Sequence, residues 1–81
     1  MRNSGQRLAL AEALDVWAAS RERAVSTLAR HAAILADHGC GEDADYFNFA
    51  GRSLTVKALH ERGQAAAIRA ASARQPALQA L

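Results

Sequence analysis

The chain has few of the residues that break helices or cross-link loops. Its 81 residues include one cysteine, one proline and five glycines. A single cysteine excludes a disulfide within the chain, and because no secretion signal is evident we expect a cytoplasmic protein. The longest uninterrupted apolar run, residues 32–36, is far shorter than the ~20 residues that a membrane-spanning helix needs. We therefore expect a soluble protein without a membrane span.

Large apolar side chains are also scarce. Alanine accounts for 21 of the 41 apolar residues, whereas Leu, Ile, Val and Phe together number 16. The net charge of +2 is small and the apolar residues recur with helical spacing, which favours a folded all-α protein over a disordered one. Because so much of the core is alanine, we expect helices that approach closely. Nine arginines to one lysine, with abundant alanine, suggest a GC-rich bacterial genome.

The segment from His38 to Asp45 is where the chain is predicted to reverse direction. Gly39 and Gly41 can adopt the positive φ that ends a helix, and Asp43 and Asp45 can cap the first amide groups of the next helix. The sequence therefore predicts one domain over residues 1–81, an antiparallel helical hairpin. Its predicted parts are helix one at about 6–38, a turn at 39–44, helix two at about 45–74, and a tail at 75–81.

Helix one has no internal glycine or proline after residue 5, and Asn3 or Ser4 can cap its start. On a helical wheel its large apolar residues form one stripe that we expect to contact helix two: Leu10, Leu14, Trp17, Val25, Leu28 and Leu35. Arg21 lies within this stripe, so its guanidinium needs a carboxylate partner or a path to solvent. Val16 and Ile34 lie together off the stripe and predict a second contact patch.

Helix two carries apolar residues on two nearly opposite sides, and Pro76 predicts its end. One side contains Phe47, Leu54, Ala58, Ala65 and Ile68, and the other contains Phe49, Val56, Leu59, Ala67 and Ala70. A hairpin can bury only one side against helix one. The other side predicts an interaction surface, and either a second copy that completes a four-helix bundle or a different protein could cover it. The predicted partner-binding residues are Val16, Ile34, Phe49, Val56 and Leu59.

No pattern in the chain predicts catalysis, a cofactor, a bound metal or a small-molecule substrate, so we expect a protein that is not an enzyme. His31, His38, Cys40, His60 and Asp37 are metal-ligand types, but a hairpin that reverses near residue 41 keeps His60 far from Cys40. Cys40 is then an ordinary loop thiol.

Charge is uneven along the chain. Residues 1–51 have a net charge of −2, whereas residues 52–81 have a net charge of +4. The basic residues of the C-terminal arm are Arg52, Lys57, Arg62, Arg69 and Arg74. A homodimeric four-helix bundle that binds RNA or DNA through this arm is therefore an alternative, although no aromatic residues alternate with these arginines for base stacking.

The turn and the start of helix two resemble the small co-chaperones of type III secretion needle subunits. The resemblance covers about 30 residues and depends on a short polar turn, acidic residues at Glu42, Asp43 and Asp45, Tyr46 at the start of helix two, and Ala58-Leu59 further along. It implies a cytoplasmic hairpin that pairs with a larger helical-repeat chaperone and keeps the needle subunit monomeric before export. A small phage or plasmid protein that inhibits a host factor is a further alternative.

Overall fold

Two long helices make up the computed structural model, which describes the backbone of residues 3–80 and the side chains of residues 5–74. Helix α1 spans Asn3–Asp37 and helix α2 spans Gly41–Ala80. They pack against each other along their length, which confirms the predicted all-α antiparallel hairpin. The molecule measures 65 × 15 × 12 Å, and its radius of gyration of 18.5 Å exceeds the ~12 Å of a compact chain of this length. No described helix is long and apolar enough to cross a membrane.

The turn between the helices is a Schellman motif, which ends α1 by satisfying its last carbonyl groups. The Cys40 amide donates to the Leu35 carbonyl at 2.8 Å, and the Gly39 amide donates to the Ala36 carbonyl at 3.1 Å. Gly39 has a φ of +79°, which glycine adopts without the steric cost that a Cβ would add. This confirms the predicted role of Gly39.

The start of α2 differs from the prediction. The Ala44 amide donates to the Cys40 carbonyl, so α2 begins at Gly41 rather than near residue 45, and Gly41 has no positive φ. Glu42 and Asp43 therefore lie in the first helical turn, where their charge favours the helix dipole, and Asp45 lies beyond it. The predicted turn at 39–44 was too long because a Schellman motif needs only one residue in the left-handed conformation.

The helix ends also differ from the sequence-based bounds. Helix α1 begins at Asn3, before residue 6, and the predicted capping side chains of Asn3 and Ser4 lie outside the described side chains. Helix α2 continues through Pro76 to Ala80, so the predicted stop at about residue 74 was wrong. Proline has a fixed φ that is helical, so its presence removes a backbone hydrogen bond without excluding a helical backbone.

The contact between the helices follows a heptad pattern, which we call the inner seam. Its residues alternate in spacing between three and four along each helix, as in a coiled coil. In α1 they are Ala11, Leu14, Ala18, Arg21, Val25, Leu28, Ala32 and Leu35. In α2 they are Ala44, Phe47, Gly51, Leu54, Ala58, Glu61, Ala65 and Ile68. All of these residues are buried or half-buried.

Small and large residues alternate across the inner seam. Ala11, Leu14, Ala65 and Ile68 pack in one cluster, which sets the register of the two antiparallel helices. When the heptad spacing extends that register along both helices, every layer except the one formed by Val25 and Leu54 has a small residue opposite a large one. The pairs are Ala11 with Ile68, Leu14 with Ala65, Ala18 with Glu61, Arg21 with Ala58, Leu28 with Gly51, Ala32 with Phe47, and Leu35 with Ala44. Buried alanines therefore lie throughout the contact between the helices, where small side chains favour a close approach.

The α1 stripe was predicted slightly out of position. Leu10 and Trp17 remain 47% and 50% exposed, whereas Ala11 and Ala18 are completely buried. A wheel of large apolar residues gives no weight to alanine, yet a close contact between helices requires alanine at its centre. Leu10 and Trp17 lie instead along the edge of the inner seam.

Candidate interaction surface

The predicted partner-binding residues of α2 are exposed, and one of them, Val56, also lines a groove between the two helices. Phe49, Val56 and Leu59 are 61%, 66% and 66% exposed. On the opposite side of the same helix, Ala58 and Ala65 are buried in the inner seam. Helix α2 therefore has one apolar side in the hairpin and one in solvent, which is the two-sided arrangement that the sequence predicted.

Val16 and Ile34 of α1 are also exposed, at 62% and 56%, but they do not form one patch. Eighteen residues separate them, which corresponds to roughly 27 Å along a helix. The line of contact with α2 also winds around α1 by about 20° per heptad. Two residues that lie on the same side of a straight wheel therefore lie at different angles from this contact. Their predicted grouping came from a straight wheel, which ignores both effects.

A polar layer interrupts the apolar inner seam near its middle, where an ion pair joins two adjacent pairs of the seam. The Arg21 Nε donates to the Glu61 Oε1 at 2.9 Å, and the Glu61 side chain is only 11% exposed. This hydrogen bond raises the pKa of Arg21 above its usual value. Of the two alternatives that the sequence left open for Arg21, the structure therefore shows the carboxylate partner, Glu61. Because a buried charge without its partner is costly, this layer favours the observed register over a shifted one.

Ion pairs line one groove beside the inner seam, which we call the charged groove. Arg62 donates to Glu22 at 2.7 Å and to Asp15 at 3.2 Å, and Arg69 pairs with the other oxygen of Asp15 at 2.7 Å. The hydrogen bond from Arg62 lowers the pKa of Glu22 below its usual range. Two basic residues of the C-terminal arm are thus paired with acidic residues of α1.

The groove on the other side of the inner seam is open and more apolar. Trp17 and Val56 line a hollow of about 440 Å³ there, together with Lys57 and His60. This groove extends the apolar surface of α2 round toward α1. Nearer the turn, His31, Ile34, Leu35 and Phe47 line a smaller apolar hollow, in which the His31 and Phe47 rings lie 6.1 Å apart.

His38 and Cys40 lie in the turn between the helices. His38 Nδ1 lies 2.9 Å from the Ile34 carbonyl oxygen in the last turn of α1, and Cys40 is an exposed thiol. Among the described side chains, no group of three His, Cys, Asp or Glu residues is arranged to hold a metal ion.

Comparison with protein-family models, with curated proteins and with solved structures finds no match for this chain. The function of this chain is therefore inferred from the geometry of the hairpin.

The order of the residues on the outer side of α2 is a feature that the sequence interpretation missed. The exposed side repeats the heptad spacing of the inner seam, and we call it the outer seam. Its residues, all exposed, are Phe49, Arg52, Val56, Leu59, Gly63, Ala66, Ala70 and Ala73. The alternating spacing of three and four was visible in the sequence, but the sequence-based group contained Ala67 and lacked four residues of the outer seam: Arg52, Gly63, Ala66 and Ala73.

Proposed function

We propose that this protein is a non-enzymatic protein–protein interaction module whose contact surface is the outer seam of α2. The observation that carries the proposal is the exposure of Phe49, Val56 and Leu59 along a helix whose opposite side is already buried. Soluble monomers rarely expose apolar residues in one continuous stripe, and such stripes usually mark binding surfaces. The heptad spacing indicates that the bound element is another helix.

A photo-crosslinking experiment tests this proposal directly. A photoreactive phenylalanine analogue replaces Phe49 in cells of the source organism, and the same analogue replaces Val16 as a control. Val16 matches Phe49 in exposure but lies on the outer face of α1. We expect a covalent adduct with a polypeptide from position 49 and little from position 16. No adduct at position 49, or equal adducts at both positions, would contradict the proposal.

The type III secretion co-chaperone is the more specific form of this proposal. It is supported by the hairpin fold, by Glu42 and Asp43 in the first turn of α2, and by an outer seam able to hold a larger helical chaperone. A cytoplasmic location belongs to the same proposal. Mixing the purified protein with a needle subunit and its helical-repeat chaperone tests it. We expect a ternary complex that Val56→Asp abolishes, whereas the absence of any complex would exclude this form.

The nucleic-acid alternative gains no support from the geometry. It depended on the basic residues of the C-terminal arm, and of these Arg62 and Arg69 are engaged with Glu22 and Asp15. Phosphate binding would have to compete with these carboxylates. A protein partner is therefore the better-supported function.

A further inference from the structure

The large and small residues of the outer seam are segregated along its length. The N-terminal half carries large side chains, namely Phe49, Arg52, Val56 and Leu59. The C-terminal half carries only glycine and alanine, namely Gly63, Ala66, Ala70 and Ala73. A partner helix that fits this seam must have small side chains opposite the N-terminal half and large side chains opposite the C-terminal half.

The outer seam of an antiparallel second copy has side chains of these sizes at these positions. When two copies are related by a two-fold axis near residue 61, each large residue of one copy faces a small residue of the other. The resulting pairs are Phe49 with Ala73, Arg52 with Ala70, Val56 with Ala66, and Leu59 with Gly63 of the second copy. A parallel pairing in register would instead oppose Phe49 with Phe49 and leave alanine opposite alanine, with gaps between.

The inner seam already shows that this chain packs helices by the same rule. There, too, antiparallel helices place Ala32 opposite Phe47 and Leu14 opposite Ala65. The outer seam runs from Phe49 to Ala73, which is about three and a half heptads and roughly 36 Å of helix. That length is in the range at which heptad patterns specify a coiled coil.

We propose that a second copy of this chain occupies the outer seam, antiparallel and in this register. The inference rests on the proposed function, since it names the partner of the same surface. It makes a second copy, instead of a larger helical chaperone, the occupant of the outer seam. The dimer is a closed, two-fold symmetric assembly in which the two α2 helices are central and the two α1 helices are outside.

The charges beside the seam are compatible with this arrangement. Arg62 lies near the two-fold axis, where it approaches Arg62 of the second copy, but each is paired with Glu22 and Asp15 of its own chain. Arg52 approaches Arg69 of the second copy, and that arginine is paired with Asp15. The carboxylates of the charged groove thus offset the repulsion between the arginines that this register brings together.

Disulfide trapping tests the register. In a Cys40→Ser background, the variant with Val56→Cys and Ala66→Cys places each new thiol opposite its counterpart in the second copy. The two positions are ten residues apart on one helix, roughly 15 Å, so they cannot bond within a chain. The control combines Val56→Cys with Ala73→Cys, which moves one thiol a full heptad out of register.

On mild oxidation we expect the first variant to shift from the 8.6 kDa monomer to about twice that mass on a non-reducing gel. We expect the control to remain monomeric, and both variants to retain their helix content by circular dichroism. Equal trapping of the two variants, or trapping of neither, would overturn the register. If neither is trapped while position 49 still crosslinks to a different polypeptide, the second copy is wrong and the interaction function stands. If position 49 also yields no adduct, both proposals fail.

Discussion

Replacing Ala32 by leucine should reveal how closely the two helices approach. Ala32 is 3% exposed and, in the register of the inner seam, lies opposite Phe47, so three further carbon atoms would have to displace neighbouring side chains. The neighbouring Ala33 is exposed and provides a matched control, because alanine and leucine differ little in helix propensity.

The expected cost comes from overpacking a filled layer. Adding methylene groups to a well-packed core typically destabilises a protein by about 1–3 kcal/mol. For a domain of this size each kcal/mol lowers the melting temperature by about 4–8 °C. We therefore expect Ala32→Leu to melt roughly 4–24 °C below the wild type, and Ala33→Leu to melt within about 2–4 °C of it.

Thermal unfolding followed by circular dichroism measures both variants. All samples must have the same protein concentration, because self-association would make the melting temperature depend on it. If Ala32→Leu and Ala33→Leu melt together, the helices are not in close contact at this layer, and the small-opposite-large packing of the inner seam is wrong.

Three further predictions concern the turn and the charges. Gly39→Ala should destabilise the protein by about 1–2 kcal/mol because of the positive φ, whereas Gly41→Ala should be neutral or stabilising, as urea unfolding will show. Glu61→Gln should lower the melting temperature, and combining Arg21→Leu with Glu61→Leu should restore it, since the buried charge then disappears. Because the pKa of Glu22 is lowered in the folded state, its ion pair with Arg62 stabilises the fold at pH values above the usual carboxyl pKa. This stabilisation is lost as the pH falls through the lower, folded-state pKa of Glu22. Glu22→Gln should therefore reduce the loss of melting temperature between about pH 5 and pH 3.

The sequence was sufficient for the hairpin because its signals were local and consistent. Gly39 marked the reversal, the scarcity of helix breakers in α1 indicated a long helix, and the two apolar sides of α2 were visible by spacing alone. The position of Arg21 among apolar residues predicted either a carboxylate partner or a path to solvent, and its partner Glu61 could be named only once the register of the two helices was known.

The errors came from features that depend on the contact between helices. Leu10 and Trp17 were placed in the contact because a wheel gives weight to size, whereas the contact selected Ala11 and Ala18. The charged groove was likewise invisible, since Asp15 and its arginine partners are distant in sequence and meet only when the helices are antiparallel in one register.

The solution mass of the protein shows whether a second copy occupies the outer seam. Light scattering during size exclusion, over a range of concentrations, should show the wild type at about twice 8.6 kDa. Val56→Asp places a charge in the outer seam and should give a helical monomer, while the equally exposed Val16→Asp should remain dimeric. A wild type that stays monomeric at all concentrations, or a Val56→Asp variant that still dimerises, would contradict the account.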